Sequence, residues 1–153
     1  MTARLDPNDI APAGMKALGG VYGYLTQSGL PALLLDLVYL RTSQLNGCAY
    51  CIDMHSRDLL KSGLPVEKLV LVPAWHEAGA LFTAREQAAL RWTETVTLVA
   101  QTQIPDAEFE AARAEFSEKE LTDLTLAIGL INAYNRIGVG FRPAPAAAQA
   151  SAK

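Results

Sequence analysis

Both cysteines of this 153-residue chain lie within residues 46–55, NGCAYCIDMH, together with one of its two histidines. On a helix, Cys48, Cys51 and His55 advance by three and then four residues, so their side chains share one face. The turn pair Asn46-Gly47 predicts a helix that begins at Cys48, where unpaired N–H groups favour a thiolate. An imidazole one turn from Cys51 can accept a thiol proton. The spacing therefore predicts a redox-active dithiol with a histidine base.

Asp36 is a carboxylate in the middle of the very apolar segment that precedes this stretch. A buried carboxylate is costly without a partner, so it must be paired, protonated or directed at a polar site. A short turn at Asn46-Gly47 folds two helices back antiparallel and brings residues on either side of the turn opposite each other. Asp36 and His55 fit that arrangement, so we expect Asp36 to orient His55. On its own, Asp36 would be read as a structural hydrogen-bond acceptor.

Two other interpretations of the cysteines stay open at this point. Zinc could be bound by Cys48, Cys51 and His55 with His76 or Asp36 as fourth ligand, although the chain has no second cysteine pair. The cysteines could also simply be buried thiols, as free cysteine often is. Haem attachment would need a histidine directly after the second cysteine, and Ile52 stands there.

Apolar residues recur with helical spacing along most of the chain, and no segment alternates with a period of two. The pattern predicts an all-α protein with a central helical hairpin that carries the two cysteines. Capping boxes start two of the helices, at Thr83 and Ser117, and Pro73 should end or kink another. The predicted helices cover residues 10–27, 31–44, 48–61, 65–75, 83–100, 105–116 and 117–139.

Residues 1–142 are expected to form a single domain, and the Ala- and Pro-rich residues 143–153 a flexible tail. The chain is 50% apolar and 19% charged with a net charge of −3, which favours neither nucleic acid nor an anionic membrane as a partner. No run is long and apolar enough for a membrane span, and the charged N-terminus is unlike a signal peptide, so we expect a cytoplasmic protein. The stretch from Leu121 to Ile137 is apolar on nearly every side, which predicts a homo-oligomer. Three polar residues interrupt it and are expected either at a subunit contact, which we favour, or in the wall of a pocket: Asn132, Asn135 and Arg136.

The chain has an acidic residue, Asp36, followed by eleven residues and then by Cys-x-x-Cys-x-x-x-His. This pattern resembles that of the AhpD-like alkylhydroperoxidases of the carboxymuconolactone decarboxylase superfamily. The similarity extends over most of residues 10–142 and includes the segments Leu40–His55, Trp92–Glu94 and Leu130–Arg136.

The resemblance implies an AhpD-like helical fold and a cofactor-independent peroxidase without a metal, acting on hydrogen peroxide or organic hydroperoxides. Cys48 and Cys51 would cycle between dithiol and disulfide, with His55 and Asp36 as proton relay. The implied partners are the hydroperoxide, a dithiol reductant such as a lipoyl- or thioredoxin-like protein, and further copies of the chain in a trimer or hexamer. Within the superfamily the alternative is lactone decarboxylation, which does not rely on a cysteine pair; outside it, the alternative is a redox-sensing protein with little turnover.

Two residues depart from the family pattern. Asp36 stands where glutamate is usual, so the shorter side chain could reach His55 through a water. Tyr50 stands between the cysteines where the best-known peroxidases have histidine. The resemblance also implies that Cys51 attacks the peroxide and that Cys48 is the more exposed cysteine, whereas the helix dipole alone would make Cys48 the more acidic. The order of attack is left open by the sequence.

Overall fold

The computed structural model describes residues 3–150, and within that range the chain is helical with no β-strand. The α-helices are α1 (Pro7–Ile10), α2 (Pro12–Leu25), α3 (Ala32–Asn46), α4 (Ala49–Lys61), α5 (Val66–Leu71), α6 (Ala84–Thr97), α7 (Val99–Thr102), α8 (Asp106–Arg113), α9 (Glu118–Phe141) and α10 (Ala146–Ala150). Two 3₁₀ segments, Val72–Glu77 and Gly79–Leu81, connect α5 to α6. The predicted all-α class is confirmed.

Helices α3 and α4 form the predicted antiparallel hairpin, and the turn between them has a clear local cause. Gly47 adopts φ 67° and ψ 32°, a left-handed conformation that ends α3 without a side-chain clash. The N–H of Cys48 then donates to the carbonyl of Ser43 at 3.0 Å, which satisfies one of the last carbonyls of α3. Cys48 is extended and immediately precedes α4, as the turn pair predicted.

Helix α3 lies at the centre of the fold and supplies side chains to two apolar clusters. Toward α2, α6 and α9, its Leu35 and Val38 pack with residues such as Leu124 and Ile128. On the other side, Leu37 and Leu40 pack with Leu59 of α4 and with Trp75, Phe82 and Leu90. Most of α3 is therefore buried, although Leu33 is 41% exposed.

A small polar network fixes the hairpin turn to α9. The side-chain amide of Asn46 donates to Asn132 Oδ1 and to Asn135 Oδ1, both at 2.9 Å. Asn135 in turn donates to Ser43 Oγ at 3.0 Å and is only 1% exposed. The expectation that Asn135 lies at a subunit contact is thus wrong, because its polar atoms are used to join two helices of one chain.

Prolines and caps explain where the helices begin and end. The expected helix over residues 10–27 is divided at Ala11, since Pro12 has no N–H to continue α1 and instead begins α2. Pro73 acts as predicted: α5 stops at Leu71 and the chain continues as a 3₁₀ segment kinked at Ala74. Both predicted capping boxes are present, at the starts of α6 and α9.

Both ends of the described range lie against the rest of the molecule. Arg4 donates its backbone N–H to the carbonyl of Phe141 at 2.8 Å and a guanidinium N–H to that of Gly140 at 3.1 Å. Within the segment predicted to be a flexible tail, α10 lies beside α4, and the N–H of Ala147 donates to Asp53 Oδ2 at 3.2 Å. Residues 151–153 of that segment lie outside the described residues. Between residues 3 and 150, none of the helices combines the length and hydrophobicity that a membrane span requires.

The Asn135 network yields a stability prediction. Asn135→Ala removes two buried hydrogen bonds and leaves a small cavity, so we expect the free energy of unfolding to fall by about 2 kcal/mol. Urea denaturation followed by circular dichroism measures this change. Asn8→Ala, which removes an exposed amide, is the control and should leave the midpoint nearly unchanged; equal midpoints for both variants would contradict the structural role of Asn135.

Candidate active site

Cys48 and Cys51 form a disulfide at the start of α4, with their Cα atoms 5.4 Å apart. Cys48 is the residue that precedes the helix, and Cys51 lies in its first turn. Both are buried, at 1% and 3% exposure, so the expectation that Cys48 is the more exposed cysteine is wrong. The close spacing at the start of one helix is what allows the two sulfur atoms to bond.

Gly138 of α9 is the backbone position that makes room for this disulfide. A Cβ atom built on Gly138 would lie 2.7 Å from Cys48 Sγ and 3.5 Å from Cys51 Sγ. Real side chains do not pack at the shorter distance, so α9 can approach the sulfur atoms only because residue 138 has no side chain. The sequence contains eleven glycines, and nothing in the sequence alone distinguished Gly138 from Gly129 or Gly140 in the same helix.

His55 and Asp36 are brought together across the hairpin, as the position of the turn predicted. Asp36 Oδ1 lies 3.4 Å from His55 Nδ1, with the imidazole side chain 6% and the carboxylate 20% exposed. This separation is too short for an intervening water, which would need two successive hydrogen bonds spanning about 5 Å. Aspartate therefore approaches the ring directly despite being one methylene shorter than glutamate. Neither ring nitrogen of His55 is hydrogen-bonded to another described residue.

A cavity of about 690 Å³ opens beside these residues. Cys51, His55 and Asp36 all contribute to its wall, whereas Cys48 does not. Much of the remaining wall is apolar or tyrosine and comes from α2 and α9, including Met15, Tyr22, Leu130, Ile131, Tyr134, Ile137 and Phe141. Residues 3–8 of the N-terminal segment close one side. A mostly apolar cavity with a few convergent polar groups is the usual form of a small-molecule site.

Tyr39 belongs to this site, and the sequence analysis missed it. Its ring packs 5.1 Å from the ring of His55, and its hydroxyl is buried without a hydrogen-bond partner. Burial raises the pKa of Tyr39 above its ordinary value, and the neighbouring Tyr22 phenol and Asp36 carboxylate raise it further. One signal was available: Tyr39 is three residues after Asp36, so the two share a face of α3.

His76, considered as a fourth zinc ligand, lies elsewhere. Its ring stacks on Trp75 at 3.7 Å between centroids, and its Nε2 atom is 3.4 Å from Glu94 Oε2. Glu94 Oε1 also accepts hydrogen bonds from Arg41 and Trp75, each at 2.8 Å. His76 therefore belongs to a separate polar cluster around Glu94. Within residues 3–150, no three or more His, Cys, Asp and Glu side chains are grouped so that they could hold a metal ion.

Comparison with known proteins identifies relatives of the chain. The sequence profile of the carboxymuconolactone decarboxylase family matches residues 12–95. An uncharacterized protein of Bacillus subtilis, YdfG, is 36% identical over 139 residues, which cover 91% of this chain and 94% of YdfG. A second uncharacterized protein, YnjA of Escherichia coli, is 31% identical over 69% of this chain and 57% of its own length.

Solved structures show the same architecture. A protein of unknown function from Agrobacterium tumefaciens, proposed to be the antioxidant defence protein AhpD, superposes with a TM-score of 0.90 at 39% identity and covers 94% of this chain and 98% of its own. An uncharacterized peroxidase-related protein from Silicibacter has a TM-score of 0.74 at 21% identity, over 86% of this chain and 70% of its own, and shares the fold. The profile match and these similarities together show that the chain belongs to the carboxymuconolactone decarboxylase family and has the AhpD-like fold.

Proposed function

We propose that this protein is a thiol-dependent peroxidase that reduces hydrogen peroxide or organic hydroperoxides through the Cys48–Cys51 pair. The observation that carries the proposal is the position of Cys51: it is bonded to Cys48 and borders a cavity that His55 and Asp36 also border. A nucleophile, a base and a group that orients the base thus surround one space that can hold a substrate.

In the first half of the cycle, the Cys51 thiolate attacks the terminal oxygen of the hydroperoxide. The S–O bond forms as the O–O bond breaks, and the electron pair of that bond leaves with the inner oxygen, which takes up a proton to become an alcohol or water. Sulfur is oxidised to a sulfenic acid and the peroxide is reduced. We assign the attack to Cys51 rather than Cys48 because only Cys51 of the two borders the cavity.

In the second half, the Cys48 thiolate attacks the sulfenic sulfur of Cys51. The S–S bond forms, and the hydroxide that leaves takes up a proton to become water. An external dithiol then reduces the disulfide by thiol–disulfide exchange and is itself oxidised. A lipoyl- or thioredoxin-like protein would supply such a dithiol, and burial of both sulfur atoms requires that it reach them through an opening of the cavity or a local movement.

His55 and Asp36 are proposed to move the protons. His55 is one helical turn from Cys51 and would accept its thiol proton, then return it to the leaving oxygen. Asp36 Oδ1, 3.4 Å from Nδ1, would hold the imidazole with Nδ1 protonated, which leaves Nε2 as the base. Tyr50, between the two cysteines, is 40% exposed and has no role in this scheme.

Assembly into a homo-oligomer, a trimer or hexamer, is part of the same proposal. Apolar side chains of α9 remain exposed on the single chain, among them Leu126 at 46% and Val139 at 48%. Leu126, Val21 and Phe109 border an apolar groove between α2, α8 and α9, and surfaces of this kind are commonly covered by a second subunit.

The cysteine and histidine variants test the peroxidase proposal. With dithiothreitol as reductant and cumene hydroperoxide as substrate, turnover should be lost in Cys48→Ser and Cys51→Ser and should fall by about a hundredfold in His55→Ala. His76→Ala is the matched control, because His76 is exposed and distant from the cysteines, and should retain wild-type turnover. Unchanged rates in both cysteine variants would overturn the proposal.

The same variants test the order of attack. If Cys51 attacks, one equivalent of peroxide should produce a sulfenic acid in Cys48→Ser that dimedone traps and mass spectrometry detects. In Cys51→Ser the dimedone adduct should form more slowly, because the remaining thiol, that of Cys48, does not border the cavity. A dimedone adduct found only on Cys48 would reverse the assignment.

The tight contact at Gly138 yields a further prediction. Gly138→Ala places a methyl group against Cys48 Sγ, so the disulfide should close more slowly and peroxide turnover should fall by about tenfold, corresponding to roughly 1.4 kcal/mol. Gly140→Ala is the matched control in the same helix, because nothing lies within 4 Å of its added Cβ. Stopped-flow measurement of disulfide formation compares the two variants, and equal rates would show that the contact at Gly138 does not limit closure.

A further inference from the structure

We propose that the Tyr39 hydroxyl is the hydrogen-bond donor for the inner oxygen of the hydroperoxide, the oxygen that leaves when the O–O bond breaks. This inference rests on the proposed peroxidase function and adds a residue to it. Tyr39 would contact the substrate directly, in addition to Cys51, which supplies the proton, and His55, which moves it.

The position of Tyr39 is the first support. Tyr39 is on α3, one turn after Asp36, and its ring packs against the His55 ring at 5.1 Å between centroids. Tyr39, Asp36, His55 and Cys51 border the same cavity. A substrate with its terminal oxygen at Cys51 would therefore occupy a space that Tyr39 also borders.

The second support is the unpartnered hydroxyl. Tyr39 is 3% exposed, and its hydroxyl makes no hydrogen bond to any described residue. A buried hydroxyl without a partner destabilises the fold, and phenylalanine would fill the same space without that penalty. Tyr24 shows the usual solution, since its hydroxyl donates to Asp123 Oδ1 at 2.8 Å. Thr42 also has an unpartnered buried hydroxyl, but it does not border the cavity.

The electrostatic surroundings decide which role the hydroxyl can have. Burial raises the pKa of Tyr39, and the nearby Tyr22 and Tyr134 phenols and the Asp36 carboxylate act in the same direction. Tyr39 therefore stays protonated at neutral pH, so it can donate a hydrogen bond but cannot serve as the base. His55 keeps the role of proton acceptor and donor.

In the reaction, the Cys51 thiolate bonds to the terminal oxygen and the electron pair of the O–O bond moves to the inner oxygen. The Tyr39 O–H donates to that oxygen as negative charge develops on it, and the proton that neutralises it comes from the His55 imidazolium. Tyr39 keeps its own proton throughout. A donor directed at developing charge in a site shielded from water stabilises the transition state more than the ground state.

Tyr39→Phe tests the inference. We expect kcat/KM for cumene hydroperoxide to fall at least tenfold, with no decrease in melting temperature because the lost hydroxyl has no partner. The rate of Cys51 alkylation by iodoacetamide, measured in a Cys48→Ser background, should not change, since that reaction has no peroxide oxygen to stabilise. Tyr24→Phe is the matched control and should show the reverse: a lower melting temperature and unchanged kcat/KM.

The outcomes separate this inference from the proposed function. Suppose that the wild type consumes peroxide. Tyr39 is not the donor if Tyr39→Phe has the wild-type kcat/KM, or if its rate of Cys51 alkylation falls together with its kcat/KM. If the wild type does not consume peroxide, the peroxidase proposal fails. The role of Tyr39 as a hydrogen-bond donor in the cavity is then tested by calorimetry, which measures how tightly the alcohol 2-phenyl-2-propanol binds to the oxidised protein. Weaker alcohol binding by Tyr39→Phe than by wild type then supports Tyr39 as the polar anchor of the cavity, and equal or absent binding overturns it.

Discussion

The close packing of α9 on the turn between α3 and α4 is the constraint on which the site depends. Asn135 and Asn132 hold the turn through Asn46, and one helical turn further along α9, Gly138 lies directly against the Cys48 sulfur. The polar network fixes where the hairpin meets α9, and the missing side chain at Gly138 sets how near the helix comes. The result is a buried disulfide of which only Cys51 borders the cavity.

That burial changes the chemistry available to the cysteines. A cavity lined largely by apolar and aromatic side chains strengthens each electrostatic interaction within it. It also leaves polar groups without hydrogen-bond partners. His55 and Tyr39 carry such groups, and they are in contact with each other beside Cys51. Unpartnered buried polar atoms are uncommon in folded proteins because they are destabilising, and their concentration at one cavity is more typical of a binding site than of a core.

Asp36 illustrates how a carboxylate is accommodated in an apolar helix. A carboxylate in an apolar helix is unfavourable unless it is paired, and the hairpin provides His55 within 3.4 Å. Aspartate comes this close to the imidazole because α3 and α4 pack against each other, with Leu37, Leu40 and Leu59 in one apolar cluster. The acid and the histidine that the sequence predicted on facing helices are therefore brought together, with aspartate as the acid.

Residue types at short, regular spacing were enough to predict four features: the helical class, the hairpin turn at Gly47, the two capping boxes and the close approach of Asp36 to His55. Three other features could not be predicted in this way: Gly138 makes room for the disulfide, Asn135 joins α9 to the turn, and Tyr39 borders the cavity. Those three depend on contacts between segments far apart in the chain, as with Gly138 and Cys48, or on which face of a fully buried helix meets a cavity. Hydrophobic periodicity shows neither the contacts between distant segments nor the face of a helix that meets a cavity. A helix that is apolar on all sides does not indicate which of its sides packs against which neighbour.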